Sequence, residues 1–254
     1  MTVRADLHNH SCLSPCGDLY ASPSAMAHTA QSRGVDLMAI TDHNSVRNAP
    51  AFAEACRRIG LMAVFGTETT SREEVHILSL FATVEEAQAW GMWVYERLPD
   101  FKHDPERFGD QVVVDADENI LDFEPRYLIP AIDASIDEIR RETLDRGGLI
   151  IPAHIDRTTN SMLSQLGFLP DLRFSALEIT RWPPATNPQG HTVICDSDAH
   201  FIDDVAQRTF QFSAEIIPGA PQEEIFSALS CALAEGTVTL SIAPEAAADA
   251  DSLQ

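Results

Sequence analysis

The amino-acid sequence predicts an α/β fold in which strands and helices alternate around one mostly parallel sheet that closes into a barrel. Short apolar stretches rich in β-branched residues alternate with segments of helical periodicity, which is typical of repeated βα units. A chain of 254 residues, of which 44% are hydrophobic, can bury a large core and lies in the size range of single-domain barrels. We therefore expect one barrel domain rather than two small domains.

The predicted elements follow one another in a regular order. The strands are expected at residues 3–7, 36–40, 61–65, 75–81, 148–152, 176–180 and 192–195. The helices are expected at residues 23–34, 49–59, 84–97, 135–147 and 221–234. Pro23 fits the first turn of a helix, and Gly34 and Gly60 can adopt the left-handed conformation that ends one. Ser135 and Glu138 have the spacing of a capping box, which marks the start of the fourth helix.

The predicted domain covers residues 1–243 and is followed by a disordered acidic tail over residues 244–254. This tail is rich in Ala and Asp and has almost nothing to pack. Within the domain, residues 101–126 interrupt the βα pattern, because they are polar and acidic and carry a strand of their own at 111–114. We predict an inserted hairpin there, which either covers the site as a lid or is an ordinary surface hairpin.

The charge of the chain restricts its partners. With 17 Lys and Arg against 39 Asp and Glu, the formal net charge is −22, which repels a nucleic acid backbone over most of the surface. Nucleic acid is therefore expected only as a short oligonucleotide substrate. No apolar stretch reaches the roughly 18 to 20 residues that cross a bilayer, and the first residues lack the features of a signal peptide. We expect a cytoplasmic protein without a membrane partner.

Histidines and carboxylates recur where the predicted strands end. In a parallel barrel the carboxyl ends of the strands open on one rim, so side chains far apart in sequence converge there. His8 and His10 are two residues apart in an extended strand, so both rings point to the same side. Asp198 and His200 repeat this spacing. The full set is His8, His10, His43, Glu68, His76, His154, Asp198 and His200. These are metal-ligating residue types, and their pattern predicts a metal site.

Six short motifs contain these residues. They are DLHNHS at 6–11, ITDHN at 40–44, GTE at 66–68, VHI at 75–77, PAH at 152–154 and DSDAH at 196–200. In this order they resemble the motifs of the PHP (polymerase and histidinol phosphatase) superfamily. The resemblance implies a distorted (β/α)7, TIM-like barrel that hydrolyses phosphate esters at a trinuclear metal centre. It also implies ligand roles for all the histidines and carboxylates of the set above.

One acidic ligand departs from the family pattern. Relatives have Ser-Asp-Gly soon after the HxH motif, whereas here Ser14 is followed by Pro15, Cys16, Gly17 and Asp18. We assign the ligand to Asp18, displaced by an insertion, and Cys16 is the alternative. The site is expected to hold two or three divalent ions. Its histidine-rich donors favour Zn²⁺, Mn²⁺ or Fe²⁺ without choosing among them.

The expected chemistry is an in-line attack on phosphorus by a water whose pKa is lowered by the ions, so no protein nucleophile is required. Glu68, His43 and His200 are the predicted catalytic residues. Glu68 is placed to bridge two ions, and the histidines can assist proton transfer to the leaving oxygen. Asp42 and Asp196 are expected to orient the metal ligands.

A phosphate anchor is predicted at Arg157, three residues past His154, because a guanidinium presents a planar fork to phosphate oxygens. The alternative for Arg157 is a surface salt bridge. Arg181 and Arg47 are weaker candidates for phosphate binding.

The sequence thus predicts a metal-dependent phosphatase that acts on a small phosphorylated metabolite or nucleotide. Three alternatives stay open. They are a nuclease that trims short nucleic acids, a metal-binding regulatory module without turnover, and an amide hydrolase, since barrel metal sites also activate water toward carbonyls.

Overall fold

The computed structural model describes residues 1–216 and 219–241, so the tail predicted over residues 244–254 lies outside the described residues. The strands are β1 (Thr2–Asp6), β2 (Leu37–Ile40), β3 (Met62–Thr70), β4 (His76–Phe81), β5 (Val112–Val114), β6 (Ile120–Phe123), β7 (Leu149–Pro152), β8 (Leu177–Glu178), β9 (Val193–Ile194), β10 (Thr209–Ser213) and β11 (Val238–Ser241). The helices are α1 (Pro23–Ser32), α2 (Ala49–Ile59), α3 (Val84–Tyr95), α4 (Pro105–Phe108), α5 (Ile136–Asp145), α6 (Met162–Leu166) and α7 (Gln222–Glu235), with a 3-10 helix at Ile202–Asp204.

Helix boundaries follow the local signals in the sequence. Ser22 accepts a hydrogen bond from the N–H of Ala25 at 3.0 Å and caps α1, whose first residue is Pro23. A reciprocal capping box starts α5, and Gly60 ends α2 in a left-handed conformation with φ of 74°. None of the helices within the described ranges has the length and apolarity needed to span a bilayer.

The main sheet is curled and has the strand order β11-β10-β1-β2-β3-β4-β7. β1, β2 and β3 run parallel, whereas β4 is antiparallel to both β3 and β7. β7 therefore points the same way as the first three strands. β10 and β11 extend the sheet beside β1 as an antiparallel edge.

The short parallel pair β8 and β9 closes the curled sheet into a barrel. On one side, the N–H of Ser175 donates to the carbonyl of Ile150 in β7 at 2.8 Å. On the other side, the N–H of His10 donates to the carbonyl of Ala199 at 2.9 Å, just past β1. The predicted distorted barrel is confirmed, with β1, β2, β3, β4, β7, β8 and β9 around its ring.

Several elements differ from the sequence prediction. β4 reverses direction because it forms a hairpin with β3, and this pairing extends β3 to Thr70, beyond the predicted end at residue 65. β10 and β11 were not predicted. β11 is a short, partly buried edge strand with a weak apolar pattern, whereas β10 lies between β11 and β1 and buries Phe210 and Phe212. In the region 101–126, β5 pairs antiparallel with β6, and α4 precedes them.

The barrel sheet is buried on both faces. Alternate residues of β2 illustrate this, since Leu37 and Ala39 join an apolar cluster that includes α7, whereas Met38 and Ile40 join a second cluster that includes α1, α2 and α3. All four residues are at most 2% exposed. This packing fixes the strand register and hence the positions at which the strands end.

Candidate metal centre

The structure brings together at one rim of the barrel all eight histidines and carboxylates that the sequence placed at strand ends. The parallel strands deliver their ligand-type residues from their carboxyl ends. β4 delivers His76 from its first residue, because an antiparallel strand begins at the rim where its parallel neighbours end. His154 and Asp198 have left-handed backbones with φ of 30° and 51°. Such strain in residues with a side chain is concentrated at functional sites.

The Glu68 carboxylate lies at the centre of this cluster and is 1% exposed. Its Oε1 atom is 2.8 Å from His76 Nδ1 and 3.0 Å from His154 Nε2. Its Oε2 atom is 3.1 Å from His43 Nδ1 and 3.3 Å from His10 Nε2. The two oxygens therefore face different histidines, which is the arrangement of a carboxylate that connects two ion positions.

Three groups of donor atoms in the described residues are compact enough to hold an ion, since the atoms of each group lie within 4.8 Å of one another. The groups are His10 with His43 and His200, His8 with His10 and Asp198, and His43 with Glu68 and His76. The groups share His10 and His43, so neighbouring ions would lie close together. His154 is joined to them through its 3.0 Å contact with Glu68.

Unsatisfied polar atoms in the cluster fit bound cations. His43 Nδ1, His154 Nδ1 and Asp198 Oδ1 are buried and make no hydrogen bond. Buried polar atoms normally have partners, because a missing partner costs about 1 to 3 kcal/mol. Imidazole nitrogens and carboxylate oxygens are good donors for Zn²⁺, Mn²⁺ and Fe²⁺, so the residues present suit such an ion chemically.

Burial and the neighbouring charges shift the pKa values of the ionisable side chains in the cluster. Burial lowers the pKa of His10, but the carboxylates of Asp198 and Glu68 outweigh burial and hold its pKa at about 9. For His43, burial dominates and the pKa is well below its ordinary value. Burial raises the pKa of Glu68, yet the surrounding histidines, with His76 foremost, bring it well below its ordinary value. An ionised Glu68 and a neutral His43 are the forms that bind metal.

Asp42 acts on the cluster through a serine that sequence reasoning missed. Its Oδ1 atom accepts a 2.7 Å hydrogen bond from Ser14 Oγ. Ser14 Oγ in turn lies 3.2 Å from His10 Nδ1 and accepts the backbone N–H of His43 at 3.1 Å. These hydrogen bonds fix the His10 ring, at the nitrogen that does not face Glu68, and the backbone of His43.

Glu178 was also missed, although it holds two parts of the cluster in place. Its Oε2 atom is 2.9 Å from His8 Nδ1 and accepts the backbone N–H of His154 at 3.1 Å. Bonding at Nδ1 leaves His8 Nε2 facing the cluster, 3.3 Å from Glu68. Its signal in the sequence was a single acidic residue within the buried apolar strand at 176–180.

Asp196 lies behind the strand that carries His8. Its Oδ1 atom accepts the N–H of Leu7 at 2.6 Å, and its Oδ2 atom is buried without a hydrogen bond. Burial, followed by the negative charge of Glu178, raises its pKa well above the ordinary value. It touches the backbone next to a histidine of the cluster rather than an imidazole ring.

The two candidates for the early acidic ligand lie near the cluster but outside the three groups. The backbone N–H of Asp18 donates to the carbonyl of His200 at 2.8 Å, while its carboxylate accepts the N–H of Tyr20 at 3.0 Å in an exposed turn. Cys16 is exposed and makes no disulfide bond within the described residues. The ligand role of Asp18 stays a prediction that rests on the family resemblance, whereas the hydrogen bond to Tyr20 favours a role in the turn.

The three predicted phosphate anchors have different surroundings. Arg157 is half-exposed at the rim and donates to Asp198 Oδ2 at 2.6 Å. Arg181 Nε lies 3.8 Å from Asp156 Oδ2. Arg47 instead binds the insertion, at 2.6 Å from Asp122 and 3.1 Å from Glu124. Of the three, Arg157 directly contacts the cluster.

An α/β barrel with a buried cluster of histidines and carboxylates at its rim is typical of metal-dependent hydrolases. The family model described as PHP domain matches residues 6–140, which is more than half of the chain. This chain belongs to the PHP domain family, as the resemblance of its motifs implied.

Known relatives match parts of the chain. A 5'-3' exoribonuclease of Haemophilus influenzae is 31% identical over 83 residues, which cover 32% of this chain and 29% of that protein. The chain therefore aligns with less than a third of the length of that relative.

Among solved structures, a lesion-specific endonuclease from Pyrococcus furiosus has a TM-score of 0.66 and 17% identity, covering 91% of this chain and 56% of that chain. An amidohydrolase from Chromobacterium violaceum with bound sulfate has a TM-score of 0.50 and 18% identity, covering 88% and 96%. Identities this low show a shared fold alone.

Proposed function

We propose that this chain is a metal-dependent phosphoesterase that releases phosphate from a small phosphorylated metabolite or a nucleotide. The observation that carries the proposal is the position of Glu68, whose two carboxylate oxygens face separate sets of histidines in a buried pocket of the rim. Membership of the PHP domain family supports the same assignment.

In this proposal the cluster holds two or three divalent ions. The assigned ligands are His8, His10, His43, Glu68, His76, His154, Asp198 and His200. Divalent ions at such a site supply Lewis acidity and lower the pKa of bound water toward neutrality. Asp18 is left out of this set, because its carboxylate bonds to the N–H of Tyr20.

The chain's own residues then orient the substrate and move protons. Arg157 is assigned to bind phosphate oxygens, since its guanidinium is exposed enough to meet a substrate and lies against Asp198. Arg181 is assigned a weaker, peripheral contact with the substrate. His200 is 22% exposed, compared with 12% for His76 and less for the other histidines of the cluster, so it is best placed to hand a proton to the leaving oxygen. His43, at 5% exposure, is the second candidate for this transfer. Either histidine can transfer this proton only when it is not fully occupied by a metal ion.

A nuclease acting on short nucleic acids is the second candidate. It is favoured by the activities of two proteins that resemble this chain, the exoribonuclease in sequence and the lesion-specific endonuclease in fold. The net charge of −22 opposes the binding of a long polyanion. A short oligonucleotide that enters with one end at the metal cluster is compatible with both observations.

Metal analysis combined with a substrate panel tests the proposal. The purified protein, stripped with a chelator and reloaded separately with Zn²⁺, Mn²⁺ or Fe²⁺, is assayed on sugar phosphates, nucleoside monophosphates, an amide panel and a labelled oligonucleotide. We expect at least two ions per chain and metal-dependent phosphate release from a small substrate. Cleavage of the oligonucleotide alone would favour the nuclease, and cleavage of amides alone would favour an amidohydrolase. Metal binding without any turnover would instead indicate a regulatory module.

A further inference from the structure

The insertion at residues 101–126 is hydrogen-bonded to the barrel through its strand β5. Asn48, just before α2, accepts the N–H of Val114 at 3.0 Å and donates to the carbonyl of Val112 at 3.1 Å. Val112 also donates its N–H to the carbonyl of Cys12 at 2.9 Å. These buried hydrogen bonds hold β5 of the insertion against the start of α2 and the loop that follows β1.

The chain that leaves the insertion runs directly beside the metal cluster. Asn44 follows His43, and its side-chain amide donates to the carbonyl of Leu128 at 2.6 Å and to that of Pro130 at 3.0 Å. Tyr127 is the residue before Leu128. A buried amide next to a cluster histidine thus holds the backbone on which this tyrosine is mounted.

The insertion also meets the loop at the opening of the site. A Cβ atom added to Gly109 would lie 2.9 Å from the carbonyl oxygen of Pro15, so the two segments are in close contact. Pro15 follows Ser14, whose Oγ lies 3.2 Å from His10 Nδ1. The loop that contacts His10 therefore also touches the insertion at Gly109, the residue after Phe108.

Three aromatic rings stack where the insertion meets the segment that follows it. The Phe108 and Tyr127 ring centroids are 4.4 Å apart with 26° between the planes, and those of His103 and Tyr127 are 5.8 Å apart with 15°. The Arg107 guanidinium lies 4.9 Å from the Phe108 centroid. Phe108, Tyr127 and His103 are only half-buried, so part of each ring faces solvent.

We propose that Phe108 and Tyr127 form a stacking subsite for the nucleobase of a mononucleotide whose phosphate lies at the metal cluster. This inference rests on the proposed phosphoesterase function and names its substrate class. Aromatic rings bind every base through its flat face, contributing about 1 to 3 kcal/mol per base. Arg107 makes no ion pair with an acidic side chain among the described residues, so its charge is available to a nucleotide.

A comparison of AMP with ribose 5-phosphate isolates the base, because the two ligands share the sugar and the phosphate. Binding of each to the metal-loaded protein is measured by calorimetry. We expect the wild type to bind AMP about 10-fold or more tightly than ribose 5-phosphate, within the range of one stacked base. Tyr127→Leu and Phe108→Leu should weaken AMP binding several-fold and leave ribose 5-phosphate binding unchanged.

Phe123→Leu is the matched control, since Phe123 is an exposed aromatic residue in strand β6 of the same insertion. Thermal melting of each variant verifies that it is folded. Equal affinities of the wild type for the two ligands, or no binding of either, would overturn the stacking subsite. So would an AMP preference that the Tyr127 and Phe108 variants retain.

Phosphate release from the substrate panel is measured in parallel and tests the proposed function separately. A protein that releases phosphate but does not distinguish AMP from ribose 5-phosphate keeps the phosphoesterase assignment and loses the subsite. A protein that prefers AMP in binding but releases no phosphate keeps the subsite and loses the hydrolase assignment.

Discussion

The two ends of the barrel interior are both buried, but they are built from opposite chemistry. At the rim, buried positions hold imidazoles and carboxylates, three of whose atoms make no hydrogen bond. Beneath α7, buried positions hold apolar side chains such as Phe226 and Leu229, packed against alternate residues of the strands. Apolar burial stabilises the fold, whereas buried polar atoms without partners destabilise it.

A strand of the barrel such as β1 thus contributes apolar residues that stabilise the fold and, at its end, polar residues that form the metal cluster. Leu7 packs in the apolar cluster with α7, while His8 and His10, one and three residues further on, lie in the metal cluster. The apolar end stabilises the strands that position the charged residues at the rim. The comparison predicts that substitutions at the two ends will have separable effects.

The largest expected effect is at Glu68. Glu68→Gln keeps the size of the side chain but removes the charge that faces both sets of histidines, so ions at both positions lose a ligand. We expect activity to fall by well over about 100-fold, beyond the loss typical of residues that only orient a ligand. Metal content and phosphate release measure this, with the exposed Glu54→Gln on α2 as control. A fully active Glu68→Gln would remove the carboxylate from the centre of the mechanism.

The apolar end should respond in the opposite way. Leu229 is fully buried in α7, so Leu229→Ala leaves a cavity and is expected to lower the free energy of unfolding by about 2 to 5 kcal/mol. Metal content and KM should stay at wild-type values below the melting temperature. Ser227→Ala, at an exposed position of the same helix, is the control. Metal loss in folded Leu229→Ala would show that the two ends are coupled.

Glu178 tests how the rim is held in place. Glu178→Ala removes the partner of His8 Nδ1 and of the His154 N–H, and we expect metal affinity to fall about 10- to 100-fold. Glu178→Gln keeps one side-chain oxygen and should lose less. Competition with a chelator measures the affinity, and Glu223→Ala on the exposed first turn of α7 is the control. An unchanged affinity in Glu178→Ala would limit its role to the fold.

Arg157 is expected to affect substrate binding more than the chemical step. Arg157→Ala should raise KM for a phosphate substrate about 10-fold, since a hydrogen bond to a charged group contributes about 1.5 to 3 kcal/mol. Steady-state kinetics at fixed metal saturation separates KM from kcat. Arg181→Ala, which removes a contact with Asp156, should have a smaller effect. If Arg157→Ala loses metal while KM is unchanged, its role is to hold Asp198.

Residues at strand ends could be predicted from sequence because their position follows from local pattern. The HxH and DAH spacings put two donors on one side of an extended segment, and barrel geometry brings the segments together. His76 reached the rim although its strand runs antiparallel. The hairpin that turns β4 back on β3 places it there, and a strand pattern alone does not reveal this hairpin.

The partners that hold the ligands could not be predicted in the same way. Ser14 contacts His10 and His43, and Glu178 contacts His8 from 170 positions away. Such contacts depend on side-chain direction after the barrel has closed, and no spacing in the sequence encodes them. The same holds for the ring stack between Phe108 and Tyr127, which forms only because the insertion folds back on its own exit.

The smallest expected effect is at Asp18, where the family pattern and the observed contacts disagree. The family pattern assigns a ligand, but the carboxylate caps the N–H of Tyr20 in an exposed turn. An asparagine keeps an oxygen that can accept this hydrogen bond and is a much poorer metal ligand. Asp18→Asn should therefore change metal content and activity by less than about two-fold, within the few tenths of a kcal/mol usual for surface substitutions. Loss of one ion per chain would instead make Asp18 a ligand that turns away from Tyr20 on metal binding, and Cys16→Ser in the same assay tests its rival.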